Sequence, residues 1–240
     1  MQHTFGRPPT VADNGLVNGT MVSKSGTGRY AVTTMQQGKK YKLRLINMAV
    51  DNHFVVSLDN HNFTVVAADF VPIQPYTTTN LFIAIGQRYD VIIDADQPVE
   101  NYWFRAEVQD KTGSDCGRNA NNGNIKSIFH YKGAPSTFPH STGVSYKQRC
   151  DDEVVVPYWN SFVPKGPIEK GGDLNTSIQI GVNAENKTLV RWGINMVPMK
   201  TFWDKPILAQ VLEGNDSFTK AQNVITLDKA NEVRITPAHL

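Results

Sequence analysis

Short apolar segments separated by turn residues recur along the first half of the sequence. They are rich in Val, Ile, Phe and Tyr, and the breaks between them carry turn residues such as Asp59, Asn60, Gly86 and Pro98. Segments of this length and composition, with turn signals at this spacing, are typical of antiparallel β-sandwiches. No segment shows a long helical period. The predicted strands cover residues 39–47, 53–58, 62–68, 80–85, 87–94, 101–108 and 126–131.

Within the first of these strands, apolar and polar side chains alternate. Tyr41, Leu43 and Leu45 fall on one face, whereas Lys42 and Arg44 fall on the other. Because successive side chains of a strand point to opposite faces, one face of this sheet is predicted to meet solvent.

Two stretches have the composition of irregular structure. Residues 110–124 are rich in glycine and asparagine and are predicted to form a long surface loop. Residues 133–172 are rich in proline and glycine, which predicts an irregular wrap followed by a linker. Beyond it, strands are predicted at 188–194, 208–213 and 223–227, as the opening of a second β-domain that is too short to close a core.

Length and composition fit a globular protein and exclude two classes of partner. The chain has 240 residues, 40% of them apolar, enough for one large all-β domain or for one domain and part of another. Its 24 Lys and Arg and 22 Asp and Glu side chains leave a formal net charge of +2, without a basic cluster. Nucleic acid and acidic membrane surfaces are therefore poor partners. No apolar run approaches the roughly 20 residues that span a bilayer.

The signals of cellular location conflict. The first ten residues are polar and proline-rich and lack the apolar core of a secretory signal. Two cysteines flanking a loop-rich stretch and five Asn-x-Ser/Thr sequences instead indicate a secreted protein, and together these features predict a piece of a longer chain. From the residues alone, Cys116 and Cys150 are either free buried thiols or a disulfide. The candidate glycosylation sites are Asn18, Asn62, Asn175, Asn186 and Asn215.

The six histidines are not arranged as metal ligands. No two of them are spaced as H-x-H, H-x-x-H or H-x-x-x-H, so no local segment presents two imidazoles to one ion. His53 and His61, at the two ends of a predicted hairpin, are expected to bond to backbone groups. Neither cysteine has a neighbouring histidine, as a blue-copper site requires, so no complete copper site is predicted. The sequence also contains no G-x-S-x-G nucleophile elbow and no glycine-rich phosphate loop.

Several segments, taken in order, resemble the ascomycete laccases, a group of multicopper oxidases. The matching segments read LRLIN at 43–47, DNHF at 51–54, SLDNHNFTV at 57–65, AADFVP at 67–72 and GQRYDV at 86–91. The resemblance implies a complete protein of three cupredoxin-like Greek-key β-sandwiches, with copper ligands in the first and third. It further implies that residues 13–165 are the second domain, that 1–12 are a preceding tail or linker, and that 166–240 are a linker and the incomplete start of the third domain.

The resemblance also implies roles for individual residues. Asp51 matches the acidic residue that accepts the proton of a phenol as its electron leaves, which suits a positioned carboxylate. His239 matches a copper-ligand position, although Thr236 replaces the first histidine of that motif. Cys116 and Cys150 match a disulfide within this domain. The pocket-wall positions match Pro8, Pro9, Thr10, Asn119 and Ala120.

Two hypotheses follow about function. In the first, the chain is the central, substrate-side part of a secreted laccase-like oxidase, which oxidises phenols one electron at a time and reduces dioxygen to water. The chain by itself is then expected to be inactive and to bind no copper, because the copper ligands belong to the first and third cupredoxin domains. In the second, the chain is a stand-alone, non-catalytic β-sandwich that binds a partner or a small aromatic molecule.

Overall fold

A computed structural model of the chain describes residues 3–4, 11–109, 117–146, 172–182, 189–226 and 233–238. The chain divides into two compact units: a larger unit, Thr10–Lys165, and a smaller unit, formed by Met1–Pro9 and Gly166–Leu240. The strands, in chain order, are β1 (His3–Thr4), β2 (Val32–Met35), β3 (Lys40–Ile46), β4 (Phe54–Leu58), β5 (Phe63–Ala68), β6 (Val71–Thr78), β7 (Leu81–Ile83), β8 (Arg88–Asp94), β9 (Asn101–Val108), β10 (Lys126–Tyr131), β11 (Gly172–Val182), β12 (Leu189–Ile194) and β13 (Val233–Ala238).

The larger unit contains two sheets that share one core. One sheet has the strand order β2-β10-β9-β4-β7 and the other β3-β8-β5-β6, and neighbouring strands are antiparallel except for β2 and β10. Leu58, Phe104 and Tyr131 of the first sheet are buried in the same cluster as Phe63 and Val91 of the second. The predicted all-β sandwich is confirmed.

The alternation predicted along the first strand is confirmed in β3. Tyr41, Leu43 and Leu45 pack against the core, as the apolar face of a half-exposed strand should. Lys42 lies on the solvent face, with its Nζ 3.4 Å from Asp90 Oδ2 on the neighbouring β8. One face of this sheet is therefore exposed to solvent.

No strand is predicted from the sequence at β6 or β13, and both of these strands contain proline. Pro72 and Pro75 lie in β6, and Pro237 lies in β13. Both strands stand at the edge of the sheet that the structure describes for them. An edge strand has one side without ladder hydrogen bonds, so a residue that lacks an N–H is tolerated there.

The smaller unit contains a four-stranded sheet of order β1-β12-β11-β13. The strand predicted at 188–194 is confirmed as β12, and β11 begins at the end of the predicted linker. β11 is antiparallel to β12 and parallel to β13. Among the described residues no helix is long and apolar enough to cross a membrane.

The two later strand predictions in the smaller unit are wrong. Residues Ile207–Leu212 form a helix, α1, and a short 3-10 helix follows at Lys220–Gln222. Pro206 precedes α1, where a fixed φ suits a helix start, and Gly214 follows it with a φ of 82° that ends the helix. At the other segment, residues 223–226 are irregular, and Asn223 adopts a left-handed φ of 48°.

A buried ion pair attaches the segment after β10 to β9. Asp59 is 0% exposed, and Arg105 Nε and Nη2 donate to its two carboxylate oxygens at 2.8 Å each. The Ser141 hydroxyl donates to Asp59 Oδ2 at 2.7 Å, and the Trp103 indole donates to the Pro139 carbonyl at 3.1 Å. The hydrogen bond to Asp59 raises the pKa of Arg105. Residues 139–141 are thus held by both polar and aromatic groups of β9.

Candidate functional site

The turn that carries Asp51 is shaped by the buried amide of Asn47, at the end of β3. Asn47 Nδ2 donates to the carbonyls of Asn52 at 3.0 Å and Ile83 at 3.1 Å, and Asn47 Oδ1 accepts the N–H of Ala49 at 2.9 Å. These three bonds replace the strand ladder that ends here and fix the path of residues 47–52. Asp51 lies half-buried in the bend that results.

Gly117 packs against this turn at very short distance. A Cβ on Gly117 would stand 2.4 Å from Asn52 Oδ1, 2.9 Å from Asn52 Cα and 3.0 Å from the Asp51 carbonyl oxygen. Gly117 also has a φ of +125°, which side chains with a Cβ rarely adopt. Only glycine fits here, and Gly117 therefore approaches the backbone of the Asp51 turn closely.

This loop contains two of the residues that the sequence assigns to the pocket wall. Ala120 is exposed and donates its N–H to the Ala12 carbonyl at 2.8 Å, and Asn119 forms a parallel bridge with Ala12. Asn119 is half-buried, and its Oδ1 accepts the N–H of Asn121 at 2.9 Å. The structure thus brings the 117–120 loop to the Asp51 turn, as the proposed site requires.

Two buried polar atoms, one on the Asp51 turn and one on the 117–120 loop, make no hydrogen bond to the described residues. They are Asn52 Oδ1, in a residue that is 4% exposed, and Asn119 Nδ2. Buried amide groups are nearly always paired, so such atoms mark a place where a further polar group is accommodated at low cost. The polar side of the site therefore extends beyond the Asp51 carboxylate.

His53 lies two residues after Asp51, and its side chain does not form, within the described part of the chain, the backbone hydrogen bonds that the sequence predicts for it. Its ring is tilted against Phe82 at 5.7 Å between centroids, and its buried Nδ1 has no hydrogen-bond partner among the described residues. The prediction that backbone groups satisfy it is therefore wrong for this nitrogen. Burial lowers the pKa of His53, and the Asp51 carboxylate opposes that shift. His53 is accordingly neutral at pH 7.

Exposed apolar side chains border the turn. Met48 is 85% exposed and Val50 is 70% exposed, and both lie within the segment that Asn47 fixes. Ile85 is also exposed and lies next to Gly86, whose N–H donates to the Asn47 carbonyl at 2.9 Å. A carboxylate bordered by apolar groups suits a ligand with a hydroxyl on an aromatic ring.

The described residues do not provide a copper site. No group of three or more His, Cys, Asp and Glu side chains within them is placed to hold a metal ion. Both ring nitrogens of His61 are bonded, to the Asp59 carbonyl and the Tyr131 hydroxyl, and His130 Nδ1 contacts Asn101 Oδ1 at 2.7 Å. The two imidazoles are bonded to different protein groups, so they do not form a set of ligands that fits copper.

Several residues of the predicted site lie outside the described residues. These are the pocket-wall residues Pro8, Pro9 and Thr10, the cysteines Cys116 and Cys150, the acceptor Asn186 and the candidate ligand His239. Among the acceptor asparagines, Asn18, Asn62 and Asn215 are exposed, and the backbone of Asn175 lies in β11. Asn47 and Gly117 are not among the site residues predicted from the sequence. The signal for Asn47 was a polar residue closing an alternating strand.

The two sheets of the larger unit form the all-β sandwich expected of a cupredoxin-like domain, and comparisons with known proteins agree. A family model described as Multicopper oxidase matches residues 1–134, which is more than half of the chain. The chain therefore belongs to the multicopper oxidase family.

Fungal laccases are among its relatives. Laccase-3 of Botryotinia fuckeliana is 54% identical over 232 residues, which cover 95% of this chain and 50% of that protein. Laccase-1 of Melanocarpus albomyces is 36% identical over 232 residues, which cover 95% of this chain and 36% of that protein. The chain thus spans half or less of the length of these relatives.

Solved structures show the same fold. The laccase of Botrytis aclada superposes with a TM-score of 0.73 at 32% identity, over 99% of this chain and 44% of that chain. The multicopper oxidase Fet3p superposes with a TM-score of 0.52 at 18% identity, over 80% of this chain and 35% of that chain, and supports the fold alone. The predicted cupredoxin-like architecture is confirmed by the laccase structure.

Proposed function

We propose that this chain is the central, substrate-side part of a laccase-like multicopper oxidase that oxidises phenols one electron at a time and reduces dioxygen to water. The observation that carries the proposal is the contact of Gly117 with Asn52, which holds the pocket-wall loop against the Asp51 turn. The family membership and the laccase relatives support the activity of the complete protein.

Asp51 accepts the phenolic proton in this proposal. The phenol O–H bond breaks as an electron leaves the ring, the proton passes to the Asp51 carboxylate, and a neutral phenoxyl radical remains. A positioned base makes this oxidation easier because the radical cation is never formed. Met48 and Val50 exclude water from one side of the ring, while Asn119 and Ala120 of the 117–120 loop border another side. Pro8, Pro9 and Thr10 are assigned to the pocket wall by the laccase resemblance alone.

Copper in the complete protein supplies the electron acceptor, and the described residues of this chain take no part in that step. Residues 13–165 are the second cupredoxin-like domain, 1–12 are a preceding tail or linker, and 166–240 are a linker and the start of the third domain. The first and third domains are the partners of this chain. The chain alone is inactive, and it contributes no copper ligand.

The complete protein is secreted in this proposal. Its acceptor asparagines Asn18, Asn62, Asn175, Asn186 and Asn215 carry glycans, and Cys116 and Cys150 form a disulfide that stabilises the domain. The exposure of Asn18, Asn62 and Asn215 supports this assignment, because a glycan is attached to a side chain at the surface.

A chimera tests the proposal. The half of Botryotinia fuckeliana Laccase-3 that matches this chain is replaced by the chain, and oxidation of a phenol and of ferrocyanide is measured beside the parent and the isolated chain. We expect the chimera to bind copper and oxidise both donors, and the isolated chain to oxidise neither. A stand-alone binding module, the second hypothesis, predicts a chimera that loads copper and oxidises ferrocyanide but no phenol. Phenol oxidation by the isolated chain would overturn the inactivity.

A further inference from the structure

Tyr131 and His61 form a buried hydrogen-bonded pair in the core of the larger unit. Tyr131 comes from β10 and is 0% exposed, and His61 comes from the turn between β4 and β5 and is 4% exposed. The Tyr131 hydroxyl lies 2.7 Å from His61 Nε2. The pair is distant from solvent and separate from the Asp51 turn in sequence, and the proposed phenol chemistry does not use it.

The chemistry of the neighbours fixes the direction of this hydrogen bond. His61 Nδ1 lies 2.7 Å from the Asp59 carbonyl, which accepts only, so Nδ1 carries a hydrogen. In a neutral imidazole Nε2 then has the lone pair, and Tyr131 must be the donor. The Gln97 N–H donates to the Tyr131 oxygen at 3.3 Å, which leaves the phenolic proton directed to His61.

Both groups hold the protonation state that this bond needs. Burial lowers the pKa of His61, against the opposing carboxylates of Asp59 and Asp96, so its Nε2 is free to accept a proton. Burial raises the pKa of Tyr131 to about 12, with Asp96, Tyr102 and Tyr41 adding to the shift. Tyr131 therefore keeps its proton until an electron is removed from its ring. His61 Nε2, at hydrogen-bond distance, is then the proton acceptor.

Other tyrosines in the larger unit have different acceptors. Tyr102, whose ring centroid is 5.4 Å from that of Tyr131, donates to the Pro98 carbonyl at 2.9 Å. A carbonyl of this kind accepts a hydrogen bond but does not hold a proton. Tyr146 donates to the Glu107 carboxylate at 2.7 Å and is only half-buried. These two provide matched comparisons for Tyr131.

We propose that Tyr131 and His61 are a redox-active pair, in which one-electron oxidation of the phenol is coupled to proton transfer along the hydrogen bond. An outer-sphere one-electron acceptor of high reduction potential takes the electron, and its oxidation state falls by one. The Tyr131 O–H bond breaks and an N–H bond forms at His61 Nε2, which leaves a neutral tyrosyl radical beside an imidazolium. Return of one electron reverses both changes, so the pair holds an oxidising equivalent inside the core.

Photochemical oxidation of the full 240-residue chain tests this inference. A ruthenium(III) polypyridyl complex is generated by a flash, and the radical is followed by transient absorption and by electron paramagnetic resonance, with ring-deuterated tyrosine used to identify it. We expect a tyrosyl radical in the wild-type chain that forms more slowly in D2O than in H2O. We expect its loss in Tyr131→Phe and a roughly 100-fold slower formation in His61→Gln, because the glutamine accepts a hydrogen bond but is no base.

Two variants serve as controls. Tyr102→Phe is expected to keep the radical at the wild-type yield. Because the Glu107 carboxylate can also accept a proton from Tyr146, Tyr146→Phe is the background in which the Tyr131 and His61 variants are compared. Circular dichroism compares the folding of all variants. The inference is overturned by a wild-type chain without a tyrosyl radical, by a radical that persists in Tyr131→Phe, or by equal rates in H2O and D2O. If His61→Gln does not fold, the isotope comparison on the wild-type chain and the Tyr131→Phe variant still decide.

Discussion

Gly117 lies so close to Asn52 that a Cβ on Gly117 would be 2.4 Å from Asn52 Oδ1. This contact joins a loop after β9 to the turn after β3, two segments that are about 65 residues apart in the sequence. The loop carries Asn119 and Ala120, and the turn carries Asp51. The geometry of the candidate site therefore depends on a position where no side chain fits.

Replacing Gly117 by alanine is expected to destabilise the chain by about 2 to 4 kcal/mol, because the new Cβ overlaps Asn52 and the φ of +125° is strained. Urea unfolding measures the loss. Gly123→Ala is the matched control, since Gly123 has a φ of +83° and nothing within 4 Å of an added Cβ. Gly123→Ala should lower the free energy of unfolding by only about 1 kcal/mol. Equal costs at the two positions would contradict the close contact.

The buried ion pair between Asp59 and Arg105 gives a second prediction. Asp59→Asn leaves the guanidinium without its carboxylate partner at a site where Asp59 is 0% exposed, and we expect a loss of about 3 kcal/mol or more in the free energy of unfolding. Asp94→Asn breaks an exposed pair with Lys40, whose side chains are 51% and 73% exposed, and should cost less than about 1 kcal/mol. A loss at Asp94 as large as that at Asp59 would contradict the assignment.

The pH dependence of stability has a sign that follows from His61. Burial lowers its pKa in the folded chain below the ordinary value of 6.5, so the unfolded chain binds the proton more readily. The contribution of neutral His61 is thus fully present above about pH 6.5 and is lost as the pH falls from there through the lower pKa that His61 has in the folded chain. Asp59 and Asp96 reduce the effect without reversing it.

Urea unfolding of the wild type and of His61→Gln between pH 8 and pH 5 measures this contribution. The wild type is expected to lose more stability on acidification than the variant, while His140→Gln, at an exposed position, should follow the wild type. Parallel curves for the wild type and His61→Gln would show that His61 does not remain neutral in the fold. The pKa of His53 is also lowered by burial, so the stability of His61→Gln is still expected to fall somewhat on acidification.

Much of the fold can be predicted from the sequence, because it depends on local pattern. The alternation of Tyr41, Leu43 and Leu45 along β3 follows directly from the two-residue period of a strand. β6 and β13 were not predicted. Both contain proline, and whether a strand tolerates proline depends on whether it lies at a sheet edge, which is a tertiary property. The segment of α1 is apolar enough for either a strand or a helix, and Pro206 and Gly214 decide it.

The site was predictable only in part. Asp51, Asn119 and Ala120 were identified through resemblance, and the structure places their segments side by side. The role of Gly117 could not be predicted, because the requirement for glycine comes from Asn52, a residue distant in sequence. The bond from Tyr131 to His61 joins residues 70 positions apart, and no local pattern indicates it.

Glycosylation gives a prediction for the secreted form. Asn62 is exposed in the turn between β4 and β5, and the sequence Asn62-Phe63-Thr64 is an acceptor for N-glycans. With a heterologous signal peptide and a fungal host, Asn62→Gln is expected to lower the mass of the secreted chain by one glycan. Asn80→Gln, outside any acceptor sequence, should leave the mass of the glycans unchanged. An unchanged glycan mass in Asn62→Gln would exclude this site.

The role of Asp51 is the central claim, and a single comparison in the Laccase-3 chimera tests it most directly. Asp51→Asn keeps the shape of the side chain and removes the proton acceptor, while ferrocyanide, the second donor, has no proton to lose. We expect kcat/KM for a phenol to fall about 100-fold, with a raised KM and a flattened acid-side pH dependence, and the rate with ferrocyanide to be nearly unchanged. Equal losses with the two donors would contradict the account.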